Sequence, residues 1–272
     1  GLVPEGQRWP ALLAPAAYNY GVSGNSLQES YQNLVYLLTH TNRPPQRIYI
    51  LHAINDLRHW LSDGPTSLNA QLRPLPQVSG LDTEAEQRIL GIQLRDSTLL
   101  SWLAFSQREW QGRNFLSQYQ ADYAEQQLLP LLPDAEFPAF FQRMETELLP
   151  QRLHLLEALR ELSQHYGISL VVLTQAHAYR LPPQIPELRL TPPVNGQRLS
   201  LAQAADVLDR INQHTLSTAA QLNLSALDTA GCMQQLTHPA LFYDSVHLTP
   251  LGSRQFARCV QMLKTTLADS NC

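Results

Sequence analysis

Gly167-Ile168-Ser169-Leu170-Val171-Val172-Leu173-Thr174 is a short, nearly unbroken apolar run rich in β-branched residues. It lacks polar alternation, the pattern of a strand buried on both faces of a parallel sheet. Ahead of it, residues 137–165 place Phe137, Phe141, Met144, Leu148, Leu155, Leu159 and Leu162 at helical spacing, and Gly167 stops that helix. A long helix feeding a buried strand is the second half of a βαβ unit, because parallel strands need such a crossover. The first half is Arg47-Ile48-Tyr49-Ile50-Leu51-His52-Ala53, a second apolar run.

The pattern extends in both directions. Downstream, Ser200 and Gln203 cap a helix predicted to run to about Gln221, and residues 222–228 form a last strand. Upstream, Pro10 opens a short helix and residues 17–20 form a brief strand. Ser26 and Glu29 make a capping box for a helix whose inner face is Leu27, Tyr31, Leu34, Val35 and Leu38. Thr249 as N-cap and Pro250 at the first position start a terminal helix with Phe256, Val260, Leu263 and Leu267 inward. Strands alternating with helices predict one α/β domain over residues 1–272, built of βαβ units around a parallel sheet. A helical insertion at about 58–135 interrupts it. Trp102, Phe105 and Trp110 fall in this insertion and are expected either to pack a helical layer onto the body or to wall an acyl-chain site.

Composition narrows the function classes. A length of 272 residues with 44% hydrophobic and 15% charged side chains is globular, and long enough for a substantial core. The formal charge of −4 gives no electrostatic case for nucleic acid or an anionic membrane. No apolar run reaches the length of a membrane span. Cys232, Cys259 and Cys272 lack metal-ligand spacing, and no metal or organic cofactor is implied. Cys232 and Cys259 flank one loop and could pair in an oxidising compartment, although buried free thiols are the expected reading.

Chemistry concentrates where strands end. Asp244-Ser245-Val246-His247 sits on the loop before the terminal helix, a spacing at which a carboxylate can orient an imidazole. Ala53-Ile54-Asn55-Asp56 leaves the strand at 47–53, and Asn19-Tyr20-Gly21-Val22-Ser23-Gly24 leaves the strand at 17–20. In open parallel sheets ligands bind at those carboxyl ends. On its own, Asn55-Asp56 reads first as a turn capping a strand end, and the Asp-His loop reverses that preference.

In order and context the three segments resemble the later sequence blocks of the SGNH (GDSL-type) hydrolases. That resemblance implies a flavodoxin-like three-layer parallel sheet and an ester hydrolase, esterase-, lipase- or carbohydrate-deacetylase-like, working through an acyl-enzyme. It implies that His247 is the general base and Asp244 its orienting partner, with Gly24 and Asn55 as oxyanion donors. The residue types suit that chemistry. A neutral amide and a backbone N–H stabilise a developing oxyanion without reorganising, and imidazole accepts a hydroxyl proton near neutral pH.

Two departures stand out. Ala53 occupies the usual glycine position, and no Gly-Asp-Ser occurs anywhere in the 272 residues. The segment from Gly1 to Trp9 resembles the one that follows the nucleophile block, so the chain is expected to begin downstream of the serine, with no nucleophile of its own. On this expectation the first strand is missing from the centre of the sheet, between the strands at 17–20 and 47–53. The alternatives are a catalytically inactive carbohydrate- or lipid-binding module, an acyltransferase on the same residues, or an unrelated α/β protein with a coincidental histidine. The expected partner is a small-molecule, carbohydrate or lipid ester. Oligomeric state is open, and the resemblance leans toward a periplasmic or secreted location.

Overall fold

The computed structural model describes residues 7–13, 17, 19, 25–41, 44–64, 127–181, 191–236 and 238–269. Of the expected strand at 17–20 only Ala17 and Asn19 are described, and Gly24 and the insertion residues Trp102, Phe105 and Trp110 lie outside the described residues.

Helix α1 (Trp9–Leu13) precedes α2 (Leu27–His40), β1 (Arg47–Leu51) and α3 (Ile54–Asp63). After the gap come α4 (Phe137–His165), β2 (Ser169–Leu173), and a small hairpin of β3 (Pro193–Val194) and β4 (Gln197–Arg198). Then follow α5 (Leu201–Gln221), β5 (Ser225–Leu227), α6 (Thr229–Gln234), a 3₁₀ turn (Pro239–Leu241) and α7 (Pro250–Asp269). Strands β1, β2 and β5 form a parallel sheet in that order, with Ile50 opposite Val172 and Val172 opposite Ala226. Among the described residues β1 pairs only with β2.

The two-residue period of the strands creates the layers. Tyr49, Leu51, Val171 and Leu173 face one side, against Phe256 and Val260 of α7, Met233 of α6 and Trp9 of α1. Ile48, Ile50, Leu170 and Val172 face the other, against Leu27, Leu34 and Leu38 of α2 and Leu156 and Leu159 of α4. A parallel sheet between two helical layers is an α/β three-layer fold, as the two apolar runs predicted. A third cluster caps the carboxyl end of the sheet. It holds Ala53, Leu57, Trp60, Met144, Leu148, Tyr179, Leu208 and Ile211, with Val246 packed on it.

Local chemistry sets the helix boundaries. Both predicted capping boxes form: Ser26 accepts from the Glu29 amide while the Glu29 carboxylate takes the Ser26 N–H, and Ser200 and Gln203 repeat the arrangement. Thr249 caps α7 by accepting the Gly252 N–H at 3.1 Å. Helix α4 has the predicted span but a wider buried face. Phe140, Leu149 and Leu156 are buried, whereas Phe137, Phe141 and Leu155 are only partly so. It packs against α2, α3, α5 and the sheet at once, so a single stripe cannot describe it. Residues 54–63, expected to lead into the insertion at about 58, are helical through Asp63.

The cysteines correct the sequence reading. Cys232 and Cys259 form a disulfide, not a pair of free thiols. It ties α6 to α7 and closes the loop that carries Asp244 and His247. Sequence spacing alone gives no Cα separation, and the 6.0 Å here is within bonding range.

Candidate active site

The Asp244–His247 loop is built from its own backbone. Phe242 and Leu248 form an antiparallel bridge, and the Tyr243 N–H donates to the His247 carbonyl at 3.1 Å. Inside this tight turn, one Asp244 oxygen accepts the backbone N–H of Val246 at 2.8 Å and of His247 at 2.7 Å. Its other oxygen meets His247 Nδ1 at 2.6 Å. The carboxylate is 2% exposed and the imidazole 51%, so the acid is fixed in the protein while the ring reaches solvent. With Nδ1 held by Asp244, Nε2 is the nitrogen left to exchange a proton. Tyr243 stacks on the imidazole, with centroids 5.4 Å apart and planes 6° from parallel. Burial, then the nearby Asp244 charge, pushes the Tyr243 hydroxyl well above the usual phenol range, so it stays neutral.

Two contacts seat this loop at the carboxyl end of the sheet. The Ala178 N–H, just beyond β2, donates to the Ser245 carbonyl at 2.8 Å. Val246 packs into the cluster that contains Ala53, Leu57 and Tyr179. His247 therefore shares the end of the sheet from which α3 departs.

Asn55 lies in the first turn of α3, and its amide donates to the Asn25 carbonyl at 3.0 Å. A second N–H remains on that amide. The start of α3 is held by Gln175, which follows β2 and accepts the Ile54 N–H at 2.8 Å. Gln175 is itself gripped by Asn212 of α5, through both its N–H and its carbonyl. The loops after β1 and β2 are thus locked together. Of the four site residues expected from sequence, Asp244 and His247 are in direct contact. Asn55 sits on the next strand end, and Gly24 lies outside the described residues.

In sequence Asp56 reads as a turn residue, and the buried polar contacts around it are missed. Asp56 beside Asn55 is fully buried, accepts the Leu27 N–H at 2.6 Å, and ion-pairs with Arg152 of α4. Arg152 also donates to the His52 carbonyl and to Thr215 Oγ1, both at 3.0 Å. Burial lowers its guanidinium to about 10. The His52 imidazole, 2.7 Å from Ser30 Oγ, falls to about 3 through burial and then the Arg152 charge, so it is neutral. A second imidazole–carboxylate pair, His177 and Asp209 at 2.9 Å, is closed to solvent on the histidine side. Arg180 grips the same Asp209 at 2.8 Å. Burial alone would raise that carboxyl, but hydrogen bonds and charge from His177 and Arg180 outweigh it and hold Asp209 at about 2. With a buried ring, His177 cannot serve a substrate. Among the described residues no cluster of three or more potential ligands is placed to hold a metal ion.

No family model matches this chain, and no curated protein gives a significant match. The structure is similar to the crystal structure of a member of the lipolytic protein G-D-S-L family from Veillonella parvula. The TM-score is 0.49 at 12% identity, over 97% of this chain and 91% of that one.

Proposed function

We propose that this protein is a serine-type ester hydrolase in which Asp244 orients His247 as the general base and Asn55 donates to the oxyanion. The observation that carries the proposal is the asymmetry of the Asp244–His247 pair. A buried carboxylate, held by two backbone N–H groups, fixes one ring nitrogen of an exposed imidazole at the carboxyl end of a parallel sheet. A purely structural pair has no need of an exposed ring, and His177–Asp209 in the same molecule has none.

The chemistry follows from those positions. His247 Nε2 takes the proton of an attacking serine hydroxyl and returns it to the leaving alcohol, while Asp244 holds the tautomer and stabilises the imidazolium. The free N–H of Asn55 faces the carbonyl oxygen as it gains charge. Gly24 is assigned the second oxyanion donor by position in the sequence. The hydroxyl itself is assigned to no serine of residues 1–272, since none has the Gly-Asp-Ser context. The Cys232–Cys259 disulfide fits an oxidising compartment, hence a periplasmic or secreted location.

The test uses protein expressed from its complete reading frame. Hydrolysis of p-nitrophenyl acetate and labelling by a fluorophosphonate should both occur. His247→Ala should lower turnover by roughly 10⁴ or more, and Asn55→Ala by roughly 10²–10³. Wild-type turnover in His247→Ala, or hydrolysis without serine labelling, would refute the assignment.

A further inference from the structure

The imidazole of His247 is tied to Asp244 through Nδ1, at 2.6 Å. Together with Cβ, that bond defines an axis and not a plane. Nε2 lies off the axis, so a half-exposed ring can still swing and carry Nε2 away from the hydroxyl it must deprotonate. A second contact has to fix the plane.

The backbone of the loop provides one. Phe242 and Leu248 form an antiparallel bridge. It is flanked by the bond from the Tyr243 N–H to the His247 carbonyl at 3.1 Å and by that from the Thr249 N–H to the Leu241 carbonyl at 3.0 Å. Tyr243 and His247 are therefore the next facing pair. Successive side chains of extended backbone point to opposite sides. Phe242 is buried and Leu248 partly so, both packed with Val171, Leu173 and Phe256. Tyr243 and His247 thus project together to the other side, as cross-strand neighbours within reach of each other. Their rings meet face to face, with centroids 5.4 Å apart and planes 6° from parallel.

Tyr243 is itself firmly seated. Its backbone runs between buried Leu241 and Phe242 on one side and buried Asp244 on the other. The Thr249 hydroxyl donates to the Ala240 carbonyl at 2.7 Å just upstream. Because the phenol stays neutral, the imidazole meets a flat, electron-rich ring face. Such a face attracts the positive charge that the imidazole takes up when it accepts a proton. His177 offers a contrast. Its tyrosine neighbour, Tyr179, has a centroid 5.5 Å away but a plane inclined by 39°, and a ring enclosed by protein is held without a stack.

We propose that Tyr243 is a positioning residue for His247, fixing the plane of an imidazole that Asp244 holds at one edge and steadying the imidazolium formed when the serine proton is taken. The proposal rests on the reading of His247 as the general base.

The test compares protein from its complete reading frame with Tyr243→Leu and Tyr243→Phe. On p-nitrophenyl acetate, Tyr243→Leu should lower kcat about tenfold and leave KM within about twofold, the pattern of a group needed in the transition state and not for binding. Tyr243→Phe keeps the ring face and should recover most of that loss. In NMR spectra of the wild type, the His247 Hε1 signal should lie upfield of its position in Tyr243→Leu and show nuclear Overhauser contacts to the Tyr243 ring. A loss carried by KM, or equal losses in the leucine and phenylalanine variants, would overturn the proposal. So would missing ring-to-ring contacts in the wild type, a result that needs no variant to fold. A wild type with neither turnover nor fluorophosphonate labelling refutes the hydrolase and this role with it. Labelling and turnover, with kcat unchanged in Tyr243→Leu, refute the role of Tyr243 alone.

Discussion

Replacing Arg152 by methionine should be among the most damaging single changes in the described core. The side chain is 1% exposed and its partner Asp56 is 0% exposed. Methionine matches much of the stem but removes the charge. Asp56 would be left in the interior without its cation, still accepting the Leu27 N–H, and the His52 carbonyl and Thr215 hydroxyl would each lose a donor. Breaking a buried pair in this way costs roughly 3–5 kcal/mol. Against a total stability of about 5–15 kcal/mol, that is a large fraction. Arg210→Met is the internal control. Arg210 meets Glu145 at 2.6 Å, but with side chains 39% and 35% exposed, so the loss should stay within about 1 kcal/mol. Urea denaturation followed by circular dichroism measures both. Adding Asp56→Asn to Arg152→Met removes the unpaired acid while keeping an acceptor for Leu27, and should recover part of the loss. An Arg152→Met cost no larger than that of Arg210→Met would show that the pair is solvated or that the charge is compensated elsewhere.

Three further outcomes are expected. His52 has its folded value near 3, against about 6.5 in an unfolded chain. Its contribution to stability is therefore complete above pH 6.5 and is lost as pH falls through 6.5 toward 3. His52→Gln should flatten the fall measured by urea denaturation between pH 6.5 and 5 by about 1–2 kcal/mol, and an unchanged slope would refute neutral burial of this ring. Paired Cys232→Ser and Cys259→Ser changes should lower stability by about 2–4 kcal/mol, the chain-entropy scale for a loop of this length, and thiol titration of the unfolded wild type should find both cysteines oxidised. Gly252→Ala would set a Cβ on top of the Leu241 carbonyl, so it should cost about 1–3 kcal/mol by calorimetry and displace the His247 resonances in NMR spectra.

What could be read from the sequence was whatever depends on neighbours along the chain. The capping boxes at Ser26 and Ser200 and the Thr249 cap are three-residue events, and each formed where its spacing placed it. The Asp244–His247 bond belongs to the same class, since its carboxylate is steered by amides two and three residues away. Arg152 shows the opposite limit. An arginine on a helix usually marks the wet face, and nothing in Pro150-Gln151-Arg152-Leu153 announces that α4 is surrounded at that turn. Its partner Asp56 lies 96 positions earlier and reads locally as a turn residue. The disulfide is hidden for the same reason: cysteine spacing says nothing about the Cα separation that decides whether two thiols can join.

The same contrast explains how the site is tied to the core. Asn55 and Asp56 are adjacent, and each bonds to the segment that opens α2: Asn55 to the Asn25 carbonyl, and Asp56 to the Leu27 N–H. Two bonds from neighbouring residues to neighbouring residues fix orientation as well as distance. Arg152 then anchors Asp56 from below while holding the carbonyl of His52, the residue just after β1. Its Nε has no partner among the described residues, so the network is incompletely satisfied. Buried ion pairs of that kind are often no more stabilising than apolar residues of equal volume. Their contribution here is positional: they define where Asn55 sits relative to the strand end. A second link, Gln175, holds Ile54 from the β2 side, and Ala178 on the same loop grips Ser245. The amide of Asn55 and the imidazole of His247 are thus referred to one frame, the carboxyl ends of β1 and β2, though they stand almost two hundred residues apart in the chain.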